Sequence, residues 1–154
     1  MKGDSKVIAD LNFILKDELT AVSQYIVHSE MCANWGYKKL STFMKMRAIA
    51  EMKHAEAIIE RIIFLEGIPE LSNLNTLHIG KDVLSMHEND HDAEEGAIET
   101  YNDAIATAVG CSDNGTRKLL ESHLSDEENH INVIEEHLAQ IEQMGLENYL
   151  VEQI

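Results

Sequence analysis

The chain has little that would break a helix or bind a polyanion. Pro69 is the only proline among 154 residues, and aromatic residues make up 5%. Glu, Ala, Leu, Ile and His are abundant instead, which points to an all-helical chain. The only cysteines are Cys32 and Cys111, and their spacing is not that of a metal-ligand pair. No disulfide framework is expected, and a reducing compartment is. Cations are scarce: 12 Lys and Arg stand against 28 Asp and Glu, for a formal charge of −16. Such a surface repels phosphates, which argues against nucleic acid as a partner. It is compatible with attracting metal cations, and equally with a plain solvated surface. No run of about 18 apolar residues occurs, so no membrane span is expected. The opening MKGDSKVIAD lacks the apolar stretch of a signal peptide, so the expected location is the cytoplasm.

What is present is a pattern that occurs twice. Glu18, Tyr25, Glu51 and His54 recur as Glu94, Tyr101, Glu127 and His130. In both copies seven residues separate Glu from Tyr, twenty-six separate Tyr from the next Glu, and three separate that Glu from His. Four residue types at three matched intervals mark a duplicated helical hairpin. Apolar residues make up 44%, enough for one domain over residues 1–154 with a sizeable core. Residues 1–145 are expected to form a four-helix bundle, and 146–154 a short helix too small to stand alone.

Periodicity predicts the first helix over about 5–34, with Leu11, Leu15, Val22 and Tyr25 on the inward face. Glu18 falls on the same stripe, where an unpaired carboxylate would be costly to bury. Gly36 suits the left-handed position that ends a helix. The second helix is predicted from about Lys38 to Glu66, with Leu40, Met44, Arg47, Glu51, His54, Ile58 and Leu65 facing in. Ile49, Met52, Ile59 and Ile63 form a second apolar stripe, which needs a partner such as another copy of the chain. Gly67, Ile68 and Pro69 end this helix, and residues 67–81 lack clear periodicity. At about 3.3 Å per residue this crossover can span the ~40 Å length of the second helix, which makes helices two and three parallel. The third helix is expected over about Asp82–Val109, with Val83, Ala97, Ala104 and Ala108 inward beside Glu94 and Tyr101. After a turn at Gly110–Gly115, the fourth runs over about Thr116–Met144, with Leu120, Leu124, Ile134, Leu138 and Ile141 beside Glu127 and His130.

The turns set heights. Residues equidistant from an antiparallel turn are level, and the midpoints of Glu18 with Glu51 and of Glu94 with Glu127 both fall in short turns. Docking the two hairpins gathers four Glu and two His at mid-bundle. Four carboxylates cannot all stay ionised in a low-dielectric core without cations between them. Two divalent metals balance four negative charges, and the oxygen and nitrogen donors suit iron or manganese, with zinc also possible. Di-metal carboxylate bundles use one Glu from each of two helices and Glu-x-x-His from each of the other two. Glu51 and Glu127 are expected to bridge, Glu18 with His54 to serve one metal, and Glu94 with His130 the other. Tyr25 and Tyr101 are expected to hydrogen-bond behind the ligands, or else to be ordinary half-buried tyrosines.

The chain resembles the bacterioferritins over essentially its whole length. The resemblance lies in MKGDSKVI at the start, EMKHAE at Glu51–Glu56, DEENHI at Asp126–Ile131 and GLENYL before Gln153 and Ile154. It implies a ferritin-like bundle assembled from twofold dimers into a 24-subunit shell. That shell would oxidise Fe(II) with O2 or H2O2 at a di-iron centre holding two irons per chain, and store ferric mineral inside. It also implies an electron-donor ferredoxin for iron release. Non-haem ferritins generally lack a histidine matching His130, and rubrerythrins usually add a cysteine-rich iron domain. In bacterioferritins the methionine matching Met52 binds a haem shared between two chains, whereas spacing alone leaves Met52 a packing residue. Some family members carry His and Asp where this chain has Met46 and Ala50, and bind a further iron on the cavity surface. That route is therefore in doubt here, and iron could instead reach the cavity through the di-iron site, with His54 or His130 moving. Two other readings stay open: a di-iron peroxidase or oxygenase that deposits no mineral, and a haem-carrying assembly protein with structural metals.

Overall fold

The helix ends are set by side chains and turns that satisfy otherwise unpaired backbone groups. A computed structural model describes all 154 residues and contains five helices and no strand. Helix α1 spans Ser5–Trp35; the Asp4 carboxylate caps it by accepting from the Lys6 N–H, and Gly36 closes it at φ 86°. Helix α2 spans Lys38–Phe64. It ends before the predicted Glu66, because Glu66 itself takes the left-handed turn at φ 62°. Helix α3, Val83–Gly110, starts with a reciprocal capping box between Asp82 and Ser85. Helix α4, Asn114–Met144, starts where the Asp113 carboxylate accepts from the Thr116 N–H. Helix α5 is Leu146–Val151.

The crossover between α2 and α3 fixes the topology. It is fastened to α1 along a row of residues spaced by multiples of four. Asn12 Nδ2 donates to the Ile68 carbonyl, and its Oδ1 accepts from the Glu70 N–H. Further along, Thr20 Oγ1 accepts from the Asn75 N–H, Gln24 Oε1 from the His78 N–H, and His28 Nε2 from the Gly80 N–H. The segment thus travels the length of α1, and α3 begins beside the C-terminal part of α1. Helix α3 therefore runs antiparallel to α1 and parallel to α2, as the sequence predicts. Gly80 can be no other residue, since a Cβ there would lie 2.4 Å from the Met86 backbone nitrogen.

The crossover row is locked from below. Asp90 on α3 accepts from Gln24 Nε2 at 2.8 Å and faces His28 Nδ1 at 3.1 Å. Because His28 Nε2 accepts from Gly80, its Nδ1 carries the proton and donates to Asp90. Every member of this buried chain is satisfied, which is the condition for polar groups to stabilise a core.

The apolar core is split in two. One cluster gathers around Leu11, Leu15, Ile58, Ile62 and Leu120, and the other around Leu40, Met44, Val83, Met86 and Ile141. A belt of polar residues separates them. Val22, Arg47, Ala97, Leu124 and Leu138, predicted to face in, are only half-buried. Gln24, His28, His87 and Asp90 are buried polar residues that periodicity did not reveal. At the far end of the bundle Tyr149 brings α5 down onto α3 and α4. Its hydroxyl lies 3.0 Å from His87 Nε2 and 2.8 Å from His137 Nδ1. The two imidazoles stack with centroids 4.9 Å apart.

Burial, followed by the proximity of His137 and His28, pushes the His87 pKa down to about 3. The unfolded chain takes up a proton at this residue near pH 6.5 and the folded chain does not. The associated stability is complete above about pH 6.5 and is lost as pH falls toward the folded value. Urea unfolding at pH 6.5 and pH 4 should show a smaller loss in His87→Leu than in the native chain. An equal loss in both would remove His87 as a source of the acid sensitivity.

Candidate metal centre

The belt between the two core clusters holds all six residues singled out by the repeat. Glu18, Glu51, His54, Glu94, Glu127 and His130 are each buried, with at most 6% exposure. Helices α1 and α3 contribute one Glu each, while α2 and α4 contribute Glu and His three positions apart, on one helical face. His54 Nδ1 lies 2.8 Å from Glu127 Oε1, 3.4 Å from Glu51 Oε2 and 3.6 Å from Glu18 Oε1. His130 Nδ1 lies 3.0 Å from Glu51 Oε1, 3.3 Å from Glu127 Oε2 and 3.7 Å from Glu94 Oε2. Glu51 and Glu127 thus each present one oxygen to either histidine.

These atoms converge without satisfying one another. Glu18 Oε2, Glu51 Oε1, Glu127 Oε1, His54 Nδ1 and His130 Nδ1 are buried and have no hydrogen-bond partner. Lone pairs facing lone pairs at this range need positive charge between them. Two four-residue groups could each hold an ion: Glu18, Glu51, His54 and Glu127, and Glu51, Glu94, Glu127 and His130. The residues fit a pair of divalent cations, with Glu51 and Glu127 common to both positions.

The electrostatics agree. Burial raises the pKa of Glu18, and raises Glu51 and Glu94 well above the ordinary carboxylate range. Burial also works to raise Glu127, but the proximity of the His54 imidazole and the Glu94 carboxyl overcomes it and holds Glu127 low. For His54, burial disfavours the charged form, yet the Glu127, Glu18 and Glu51 carboxylates outweigh it and drive its pKa up. Without metal the cluster must hold protons, and metal binding displaces them.

Tyr25 and Tyr101 are both buried, and each reaches across to the other hairpin. The Tyr25 hydroxyl donates to Glu94 and the Tyr101 hydroxyl donates to Glu18. A cavity of about 290 Å³ lies between α1 and α3 beneath the crossover, with Asp17, Thr100 and Asn75 among its lining residues and Glu18, Glu94 and both tyrosines at its inner side. Asn75 Nδ2 donates to Asp17 at 2.6 Å. Met52 lies outside the cluster and is 44% exposed on the outer face of α2. Two residues beside the centre escaped the sequence reading. His123 stacks on His54, and Asp126 Oδ2 lies 3.1 Å from His54 Nε2. His123 precedes Glu127 by four and His130 by seven on α4, so helical spacing alone could have found it.

The bundle, its long crossover and this paired carboxylate site define the ferritin-like class. The ferritin family (ferritin-like domain) matches residues 8–144, and the chain belongs to that family. Within it the chain is similar to bacterioferritins. It is 38% identical to the bacterioferritin of Rhodobacter capsulatus over 149 residues, covering 97% of this chain and 92% of that protein. It is 39% identical over 155 aligned positions to a bacterial ferritin of Synechocystis, covering 100% and 99%. A bacterial ferritin of Paramagnetospirillum magnetotacticum is 40% identical over 152 residues, covering 97% and 93%. The family supports a role in iron storage. No helix is long and apolar enough to cross a membrane.

Neutralising one buried carboxylate relieves repulsion in the metal-free cluster and removes a donor from both positions. Glu51→Gln should melt higher than the native chain when both are metal-free, and should lose most of the stabilisation that Zn(II) gives the native chain. Thermal melts with and without Zn(II) check this; undiminished Zn(II) stabilisation would contradict it.

Proposed function

We propose that this chain stores iron and is a ferroxidase, with Glu18, Glu51, His54, Glu94, Glu127 and His130 as the ligands of two irons per chain. The observation that carries this reading is the set of five buried, unpartnered carboxylate and imidazole atoms that converge from the two Glu-x-x-His helices and from Glu18 of α1, with Glu94 of α3 completing the second four-residue group. Each Fe(II) gives up one electron. O2 takes two electrons and two protons to become H2O2, or H2O2 takes two of each to become two waters. The fixed ligands hold two irons together so that an electron pair can leave in one event.

The chain's own groups have distinct tasks. Glu51 and Glu127 link the two positions. Tyr101 and Tyr25 orient Glu18 and Glu94 by hydrogen bonds. Asp126 accepts from His54 Nε2–H, which leaves the Nδ1 lone pair for iron. The cavity under the crossover offers a way in, with Asp17 as a carboxylate on its wall. The ferric product passes to the interior of a hollow shell, 24 subunits built from twofold dimers, and an electron donor of the ferredoxin type reverses storage. The whole chain acts as one domain, in the cytoplasm.

Haem at the dimer contact belongs to the same reading. Met52 offers an exposed thioether on the outer stripe of α2, where Ile63, about three turns further on, is exposed as well. One chain supplies one thioether, so two chains would share one haem. Haem reconstitution should give about one haem per two chains from that symmetry, with Met52→Leu losing the haem absorbance and keeping the assembly. A Met52→Leu protein that still binds haem would remove Met52 as the ligand.

Fe(II) added in air to the metal-free protein should be oxidised far beyond two per chain and remain in a large soluble particle. Glu127→Ala should oxidise it at least tenfold more slowly, about the loss expected when a metal site is impaired. A burst that stops near two irons per chain would favour a di-iron enzyme that deposits no mineral, and unchanged oxidation by Glu127→Ala would defeat the site assignment.

A further inference from the structure

The duplication provides an internal control. Each site residue of the first hairpin has a mate seventy-six positions on: Glu18 with Glu94, Tyr25 with Tyr101, Glu51 with Glu127, His54 with His130. The mates obey the repeat, but the residues that support them do not. The mate of Asp126 is Ala50, and the mate of His123 is Arg47.

His54 is held from three directions. Its Nδ1 faces the three carboxylates. Its Nε2 is 3.1 Å from Asp126 Oδ2, and a proton donated there leaves the Nδ1 lone pair facing the metal position. His123 lies flat against the ring, with centroids 4.2 Å apart and planes at 19°. His123 is itself fixed, since its Nδ1 lies 3.2 Å from the Tyr101 hydroxyl. That hydroxyl gives its proton to Glu18, so its oxygen accepts from His123. Both end donors of this position, Glu18 and His54, therefore lean on His123.

Nothing equivalent supports the other half. His130 contacts acidic groups through Nδ1 only, and its Nε2 meets no acceptor. Ala50 offers a methyl group where Asp126 offers a carboxylate. The neighbouring ring on His130 is His54 itself, with centroids 6.0 Å apart. Tyr25 donates to Glu94 with no histidine behind it.

We propose that the two metal positions are unequal by construction: His123 and Asp126 clamp His54, so the position of Glu18 and His54 fills first and holds its divalent metal, while the position of Glu94 and His130 fills second and empties first. The inference rests on the dinuclear reading above. A clamped imidazole gives up little freedom on binding, whereas a free one must be ordered by the metal itself. Neither His123 nor Asp126 touches the metal; both are positioning residues. Loss of such a partner typically costs 10- to 100-fold in metal affinity.

The test is a Co(II) titration of the metal-free, full-length protein, followed by visible absorption, with ring ¹⁵N NMR at one equivalent of Zn(II). The native chain should bind two Co(II) per chain, the first about tenfold or more tighter than the second. At one equivalent of Zn(II) the ring signals of His54 should shift to the metal-bound form before those of His130. Asp126→Ala and His123→Leu should weaken the first step and leave the second, and Asp126→Asn, which keeps an acceptor, should restore most of the loss. Ala50→Asn gives His130 an acceptor and should tighten the second step, a gain that misfolding cannot produce. Fewer than two Co(II) per chain would overturn the dinuclear reading and this inference with it. Two Co(II) of equal affinity, or His130 shifting first, would overturn the inequality alone and leave the dinuclear reading standing.

Discussion

Charge balance in a buried place is the constraint on which the rest depends. Four carboxylates meet at the middle of the bundle, where solvent cannot dissipate their repulsion. The fold therefore cannot have one continuous apolar core. It has two, one on each side of the belt, and the belt must be closed by cations or protons. Glu18, Glu51 and Glu94 respond with raised pKa values, and His54 is pushed toward its charged form. A pair of divalent ions satisfies the same atoms without protons. The feature that weakens the metal-free fold is the one that suits it to hold metal, a trade common at functional sites.

Holding such a belt in register requires that the two hairpins dock at one height. The crossover supplies this through the row of Asn12, Thr20, Gln24 and His28, which binds loop backbone to α1. The row ends in the buried Asp90 network on α3, one helical turn before Glu94. The crossed pairs, Tyr25 with Glu94 and Tyr101 with Glu18, fasten α1 to α3 directly at the site. The same duplication that places two similar donor sets side by side has diverged in the residues around them, as at Asp126 and Ala50.

The six converging residues were legible because helical hairpins conserve height. Equal spacing about a short turn keeps Glu18 level with Glu51, and Glu94 level with Glu127, without knowledge of any contact. The parallel course of α2 and α3 followed from crossover length alone. Other features carried no periodic signal. The crossover row pairs side chains with loop backbone more than fifty residues away, and an isolated Asn, Thr, Gln or His does not advertise such a partner. Local propensity also misplaced the end of α2, because Glu66 accepts a left-handed conformation that glycine usually fills. Asp126 was hidden by the charge run around it, since on α4 it is one acid among many. His123 shares the helical spacing of Glu127 and His130 but was not singled out, and its stacking on His54 depends on how α2 and α4 dock.

The central claim is that two metal ions lie between Glu51 and Glu127, one toward His54 and one toward His130. Anomalous diffraction from crystals of the Mn(II)-loaded protein, recorded on both sides of the manganese edge, tests it most directly. The account predicts two anomalous peaks per chain, each within bonding distance of both shared glutamates and of one histidine. Manganese confined to the acidic surface, with the belt closed by protons alone, would contradict it.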